Sequence, residues 1–98
     1  DRNDNLYVNE IAARVHNSGH LTINAYNISQ FENHIRAVCS LEQIKLKKNS
    51  NAEMINIIGD QINYYRNNPK LDGNQYFFDY LKKEIKENRK MGHLTTLI

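Results

Sequence analysis

The sequence predicts an α+β fold in which one helix covers a face of a small sheet, and it leaves α/β open as the other class. Four short apolar segments have the composition of β-strands, and turns predicted at Asn67-Asn68-Pro69 and Asp72-Gly73-Asn74 lie between two of them. A fifth segment has the 3.6-residue apolar spacing of an amphipathic helix. These two patterns carry the prediction.

The first strand is predicted at residues 6–12, which are rich in strand-forming residues and nearly alternate in polarity. Residues 14–22 are predicted to form a loop. The charged residues 82–89 are predicted to form a turn or a short helical piece. The other predicted strands are residues 54–58, 75–81 and 94–98, and the aromatic side chains of residues 76–80 are expected in the sheet core.

The predicted helix begins after Ser29 and ends near Ser40. Ser29-Gln30-Phe31-Glu32 fits a capping box, in which the serine and glutamate side chains each accept a hydrogen bond from the other residue's backbone N–H. Apolar residues recur at helical spacing at Phe31, Ile35 and Val38. Cys39 is expected to be a packed, inert thiol, because no partner base is identifiable nearby.

The composition excludes several classes of protein. A net charge of +2 is too small to indicate a nucleic acid or an anionic membrane as partner. No stretch approaches the roughly 20 apolar residues of a membrane helix, and residues 1–5 do not resemble a signal peptide. The single cysteine cannot form an internal disulfide, so we expect a reducing environment.

Three polar clusters could carry chemistry, and the first is Asn9-Glu10 at the end of the first predicted strand. A glutamate on the face of apolar strand residues is costly unless it is paired or bound to a metal ion. Mg²⁺ would suit it, with substrate phosphates completing the coordination. The simpler interpretation is a solvated glutamate where the strand ends.

The second cluster covers residues 14–20 and contains a guanidinium, two imidazoles, an amide and a hydroxyl. Such a loop can hold an oxyanion and offer a proton carrier, and Gly19 would let the backbone approach a ligand. A zinc site is disfavoured because His16 and His20 have no cysteine nearby to complete four ligands. The alternative is a polar surface loop.

The third cluster is Arg89-Lys90-Met91-Gly92-His93. Two adjacent cations before a glycine suit a phosphate group, and the alternative is a solvated basic turn.

Taken in order, these segments resemble the 5-(carboxyamino)imidazole ribonucleotide synthases of the ATP-grasp superfamily. The resemblance rests on Val8-Asn9-Glu10-Ile11-Ala12, the cluster at residues 14–20, Ser29-Gln30-Phe31-Glu32 and the closing Arg89-Lys90-Met91-Gly92-His93. It covers the C-terminal part of such an enzyme. It implies that residues 1–45 are the last strand and helix of an ATP-grasp domain. Residues 46–98 would form a small β-rich C-terminal domain of the rudimentary hybrid-motif kind.

The resemblance also implies a reaction in purine biosynthesis. ATP phosphorylates bicarbonate to carboxyphosphate, whose carboxyl group passes to the amine of 5-aminoimidazole ribonucleotide. ATP and Mg²⁺ would be the cofactors, and the parent enzyme would be a cytoplasmic homodimer with no nucleic-acid or membrane partner. By the same resemblance, Glu10 would bind Mg²⁺ and Asn9 would contact the ATP phosphates. Arg14 and His16 would bind bicarbonate or carboxyphosphate. Asn17 and Ser18 would contact the nucleotide, and Arg89 and Lys90 would bind its 5′-phosphate.

The chain departs from the family pattern in ways that affect its activity. Ala13 stands where the family usually has proline. The second metal carboxylate and the ATP-contacting lysines of the family precede the segment that this chain matches. We therefore expect that the 98-residue chain is a fragment that does not hydrolyse ATP alone. The alternative is a non-enzymatic module, derived from such an enzyme, that binds a phosphate ligand or a protein.

Overall fold

The fold is known from a computed structural model that describes residues 1–68 and 70–98. Within this part of the chain, a 3-10 helix and six regular elements follow one another: the 3-10 helix Asn17–Leu21, α1 (Thr22–Ala25), α2 (Gln30–Val38), β1 (Ala52–Ile58), α3 (Gln61–Asn67), β2 (Gln75–Asp79) and β3 (Lys90–Leu97). None of the described helices is long and apolar enough to cross a bilayer.

The described strands form one antiparallel sheet in the order β1-β3-β2, so the last strand lies in the middle. The register of the three strands aligns their residues in rows that run across the sheet. One row joins Ile55, Leu94 and Phe77, and the next joins Asn56, His93 and Phe78. Because successive strand residues point to opposite faces, these rows lie on opposite sides of the sheet.

The face with the Ile55, Leu94 and Phe77 row is covered by α3. Its core consists of Ile57, Ile62, Met91 and Leu94. Tyr65 of α3 stacks on Phe77 of β2 with ring centroids 5.4 Å apart. Arg66 of α3 also donates to both carboxylate oxygens of Asp79, at 2.6 and 3.0 Å, and lowers the pKa of that carboxyl. The opposite face receives the 3-10 helix and α1.

Three of the four predicted strands are confirmed with adjusted bounds, and the α+β class is confirmed. The strand predicted at residues 6–12 is wrong. The segment has no helix or strand, and Leu6 and Ile11 are 97% and 91% exposed. An alternating pattern specifies a strand only when another strand supplies the hydrogen-bonded ladder, and no other described segment pairs with these residues.

The predicted helix is confirmed as α2, and the Ser29 side chain accepts from the Glu32 N–H at 3.0 Å. Glu32 does not close the capping box, because its carboxylate pairs with Arg36 at 2.8 Å instead. The apolar stripe of α2 is largely exposed, since the exposed fractions of Ile35 and Val38 are 58% and 70%. The prediction that Cys39 is packed is also wrong, since the thiol is free and exposed.

Three short helical segments were not expected from the sequence. The predicted loop at residues 14–22 contains the 3-10 helix and the start of α1, and α3 lies where no element was predicted. A seven-residue helix is marginal alone, so α3 depends on the burial of Ile62, which contributes about 2 kcal/mol. The turn at Asp72-Gly73-Asn74 is confirmed, whereas the turn predicted at Asn67-Asn68-Pro69 includes Pro69, which lies outside the described residues.

The aromatic residues 76–80 divide between the two faces instead of all lying in the core. Phe77 packs on the core cluster, whereas Tyr76 and Phe78 are 42% and 49% exposed. Residues 82–89 form turns without a helix, which agrees with the first of the two predicted alternatives.

We expect Gly92→Ala to lower the free energy of unfolding by about 2 kcal/mol. An added Cβ at Gly92 would collide with the backbone oxygen of Phe78 and press on Ile62, and backbone of a central strand cannot yield easily. The matched control is Gly73→Ala, where nothing lies within 4 Å of the added Cβ. Urea unfolding of both variants measures the difference, and equal midpoints would contradict this account of the close packing around Gly92.

Candidate functional site

An open groove of about 300 Å³ collects five of the residues that the sequence analysis singled out. Its lining contains a carboxylate, a guanidinium, an imidazole and a hydroxyl. The lining residues are Asn9, Glu10, Ala12, Arg14, His16, Ser18 and Gln30. The predicted residues Arg89 and Lys90 do not line this groove.

Glu10 and His16 form the centre of the groove, with Glu10 Oε1 at 2.9 Å from His16 Nε2. The other ring nitrogen of His16, Nδ1, accepts from the Ser18 backbone N–H at 3.2 Å and lies 3.0 Å from the Ser18 hydroxyl. An acceptor nitrogen carries no proton, so the proton of a neutral ring is on Nε2 and is donated to Glu10. The imidazole is therefore oriented from both sides.

Residues 14–18, which we call the candidate catalytic loop, are held by Gln30 at the start of α2. The Gln30 Oε1 accepts from the His16 N–H at 3.4 Å, and the Gly19 N–H donates to the His16 carbonyl at 2.9 Å. A Cβ on Gly19 would collide with the Gln30 side chain. The glycine thus permits close packing of Gln30.

Asn17 connects the candidate catalytic loop to the sheet. Its side-chain amide nitrogen donates to Asn56 Oδ1 at 2.8 Å, and its backbone carbonyl oxygen accepts from His20 Nδ1 at 2.7 Å. Asn56 belongs to β1 and is the register partner of His93. The loop is therefore fixed relative to β1 through the residue that follows His16.

The second cationic region lies where β3 begins. Lys90 is exposed and Arg89 is half-buried, and the Arg89 guanidinium donates to the Glu84 carbonyl at 3.0 Å. The segment from Lys90 to His93 is strand, so the basic turn considered as the alternative is not what forms there. Lys82, which the sequence analysis did not select, donates from Nζ to the Lys90 carbonyl at 2.7 Å. A third cation is thus brought to this region.

A cluster of rings between the 3-10 helix and the sheet was also missed by sequence reasoning. His93 is 1% exposed, and its Nδ1 lies 2.9 Å from the Tyr80 hydroxyl. His20 lies beside it, with centroids 4.8 Å apart and the rings tilted by 38°, and Phe78 stacks on it at 5.4 Å. Burial, together with the nearby His20, lowers the pKa of His93 to about 4. The histidine closing the third motif is therefore an interior residue.

The donor set supports a hard cation better than zinc. In the described part of the chain, no three His, Cys, Asp or Glu side chains meet in a geometry that could hold a metal ion. Glu10 nonetheless offers carboxylate oxygens at an open groove, and Mg²⁺ is commonly held by one or two carboxylates together with waters and substrate phosphates. Glu10 fits the role of one such ligand.

Comparison with known families divides the chain into two matched regions. Residues 1–31 match the model of the ATP-grasp domain. Residues 52–98 match the model of the phosphoribosylaminoimidazole carboxylase C-terminal domain. The groove residues lie in the first region, and β1, β2 and β3 lie in the second.

Individual relatives carry one common description. The chain is 46% identical over 90 residues to the N5-carboxyaminoimidazole ribonucleotide synthase of Bacillus subtilis, which covers 92% of this chain and 24% of the relative. The chain is also 43% identical to the N5-carboxyaminoimidazole ribonucleotide synthase of Staphylococcus aureus strain COL. This match extends over 100 residues and covers 99% of this chain and 26% of the relative. The chain therefore spans about a quarter of the length of the curated relatives that it matches.

Solved structures agree with the sequence comparison. The N5-carboxyaminoimidazole synthetase of Staphylococcus aureus superposes with a TM-score of 0.83 at 40% identity, over 100% of this chain and 27% of that chain. The synthase of Aspergillus clavatus in complex with ADP and 5-aminoimidazole ribonucleotide superposes with a TM-score of 0.77 at 35% identity, over 87% of this chain and 24% of that chain. In sequence and in fold, the chain belongs to the N5-carboxyaminoimidazole ribonucleotide synthase family, ligases of the ATP-grasp type, over a stretch equal to about a quarter of a family member.

Proposed function

We propose that the chain is the closing part of a longer polypeptide, called the parent synthase below. This parent synthase would carboxylate 5-aminoimidazole ribonucleotide with bicarbonate and ATP. The observation that carries the proposal is the groove, in which Glu10, Arg14 and His16 meet on a segment that matches an ATP-grasp domain. The ligands of the Aspergillus clavatus structure, ADP and 5-aminoimidazole ribonucleotide, fit this substrate pair.

The proposed reaction has two steps. An oxygen of bicarbonate attacks the γ-phosphorus of ATP, so carboxyphosphate forms and ADP leaves. The amine of the nucleotide then attacks the carboxyl carbon, either directly or after release of CO₂. Phosphate leaves with the bridging oxygen, and the amine loses a proton. Both steps concentrate negative charge, so the protein must supply fixed positive groups and exclude water from the intermediate.

The groove residues can meet these needs. The guanidinium of Arg14 presents donors suited to a planar carboxylate or a phosphoryl group. His16 is oriented by Glu10 and Ser18, and its Nε2–H would turn from Glu10 to bicarbonate or carboxyphosphate when Glu10 binds Mg²⁺, whereas release of the Ser18 contact would free Nδ1 to accept the proton of the amine. Glu10, with Asn9 beside it, would hold Mg²⁺ at the ATP phosphates, where the bound ion neutralises developing charge.

We assign the nucleotide to the space between the candidate catalytic loop and the start of β3. Asn17 and Ser18 would contact the nucleotide itself. Arg89 and Lys90 would bind its 5′-phosphate, and Lys82 adds a third cation next to Lys90. The Asn17 side-chain nitrogen already donates to Asn56, so the side-chain oxygen Oδ1 of Asn17 is the atom better placed for a substrate contact.

Several further assignments belong to the same proposal. Residues 1–45 would complete an ATP-grasp domain and residues 46–98 would form the small C-terminal domain, with the boundary in the stretch without regular structure before β1. The parent synthase would be a homodimer located in the cytoplasm, without nucleic-acid or membrane partners.

Isotope transfer tests the reaction. With ¹⁸O-bicarbonate, the parent synthase is expected to release phosphate that contains one ¹⁸O for each ADP formed, because the bridging oxygen of carboxyphosphate comes from bicarbonate. Omitting the nucleotide is the control and should abolish most of this transfer. Phosphate free of ¹⁸O, or no nucleotide-dependent ADP, would refute the proposed reaction.

A binding experiment separates this proposal from the alternative of a non-enzymatic module. Titration of the chain with 5-aminoimidazole ribonucleotide and with inorganic polyphosphate compares a specific ligand with a generic polyanion. Selective nucleotide binding that Lys90→Met weakens favours the synthase. Equal binding of both compounds favours the module.

A further inference from the structure

A single hydroxyl group connects the 3-10 helix with the sheet. The Tyr80 hydroxyl lies 2.9 Å from His93 Nδ1 and 3.4 Å from His20 Nδ1. Tyr80 follows β2 directly, His93 lies within β3, and His20 belongs to the 3-10 helix. The hydroxyl, which we call the Tyr80 bridge, therefore joins three elements from both matched regions of the chain.

The donors and acceptors of the Tyr80 bridge follow from one fixed acceptor. His20 Nδ1 lies 2.7 Å from the Asn17 carbonyl, which can only accept, so this nitrogen carries a proton. The single proton on His20 Nδ1 is donated mainly to the nearer Asn17 carbonyl, so the Tyr80 oxygen, 3.4 Å away, accepts the longer branch of a shared hydrogen bond, and its own proton is donated to His93 Nδ1. His93 is able to accept because it is buried and neutral, with a pKa lowered to about 4.

The surrounding rings leave the Tyr80 bridge few alternative geometries. His20 lies between Phe31 and His93, with ring centroids 4.8 Å from each. His93 is stacked almost parallel to Phe78, with an interplanar angle of 4°. The bridge thus fixes His20, and His20 in turn fixes the Asn17 carbonyl, one residue after His16.

We propose that Tyr80 is a positioning residue whose hydroxyl, by joining His20 to His93, orients the candidate catalytic loop for the reaction. This inference rests on the proposed carboxylation. Tyr80 is absent from the groove lining, so it acts through the loop and not on the substrate. Small errors in the placement of reacting groups lower turnover strongly, whereas binding by groups outside the loop is preserved.

Removal of the hydroxyl alone tests the inference in the parent synthase. Tyr80→Phe keeps the ring and its packing, and is expected to lower kcat about tenfold, the effect of one lost hydrogen bond, while KM for ATP, whose proposed contacts lie outside the loop, changes less than about twofold. Tyr76→Phe is the matched control, because it removes a hydroxyl from the exposed Tyr76 of β2, the strand that Tyr80 follows. Equal kcat for the two variants would overturn the inference, as would a loss of kcat explained by a smaller folded fraction.

Replacement of His93 supplies a second test through the other end of the Tyr80 bridge. His93→Asn offers an amide oxygen near the position of Nδ1, whereas His93→Leu offers no acceptor. We expect His93→Asn to retain clearly more kcat than His93→Leu at equal folded fraction. Equal kcat for these two variants would count against the bridge.

A readout independent of activity separates this inference from the proposed function. In ¹⁵N spectra of the histidine-labelled parent synthase, His20 is expected as the Nδ1–H tautomer and His93 as the Nε2–H tautomer, and Tyr80→Phe should mix the tautomers of His93. Unchanged tautomers in Tyr80→Phe would overturn the bridge even in an active enzyme. If the parent synthase has no carboxylation activity, the proposed function fails, and the tautomers still decide whether the bridge exists.

Discussion

Glu10→Gln in the parent synthase is expected to lower kcat by at least about 100-fold, since replacing groups that merely support metal ligands already costs 10- to 100-fold. The substitution keeps the shape of the side chain and an oxygen that can accept from His16 Nε2. It removes the negative charge that would attract Mg²⁺ at the ATP phosphates. The effect therefore isolates metal binding from the orientation of His16.

Magnesium titration distinguishes this cause from a general loss of activity. The half-saturating Mg²⁺ concentration of Glu10→Gln should rise well above that of the wild-type enzyme, with the melting temperature unchanged. Glu53→Gln is the matched control, because Glu53 is an exposed glutamate on β1, outside the groove. A Glu10→Gln enzyme with wild-type kcat and the same Mg²⁺ dependence would remove Glu10 from the metal site.

The free energy of unfolding is expected to fall as the pH decreases from about 6.5 to about 4, because of His93. In this interval the unfolded chain binds a proton on His93 that the folded chain does not bind. Acidification therefore favours unfolding, and stability is fully present only above pH 6.5. The slope approaches about 1.4 kcal/mol per pH unit, and the whole interval amounts to about 3 kcal/mol.

Urea unfolding at several pH values measures this slope. His93→Gln should flatten it, whereas His34→Gln, at an exposed histidine of α2, should leave it unchanged. The titratable groups that face His93 are His20 and Tyr80. Asp79, whose pKa is lowered from 3.8 by Arg66, affects stability only below that pH. An unaltered slope in His93→Gln would show that the buried imidazole is not the cause.

Elements with strong local signals could be predicted from the sequence. The helix α2 begins at Ser29 because a side-chain oxygen three residues before a free backbone N–H is a purely local arrangement. The strands β1, β2 and β3 follow local apolar patterns, although their bounds shift by a few residues. In contrast, α3 has too few residues to be stable alone, and it exists because its own residue Ile62 is buried against the sheet.

The candidate site divides in the same way. Glu10, Arg14, His16 and Ser18 are close in sequence, so their presence in one groove is largely a consequence of chain connectivity. His20 and Tyr80 are 60 residues apart, and no local pattern indicates that they meet. The buried state of His93 likewise depends on its place in the central strand β3, whose residues 91–95 are all buried between the elements packed on the two faces of the sheet.

The sequence by itself determined the family resemblance, the α+β class and the identity of the groove residues, because these depend on residue order and short-range spacing. Only the tertiary structure decided why Gly92 is a glycine, since it is packed against the backbone of Phe78 on the neighbouring strand. It also decided that residues 6–12 are not a strand within the described chain, and that Tyr80 links His20 to His93. Strand pairing, burial and ring packing require partners from elsewhere in the molecule, and spacing along the chain does not specify those partners.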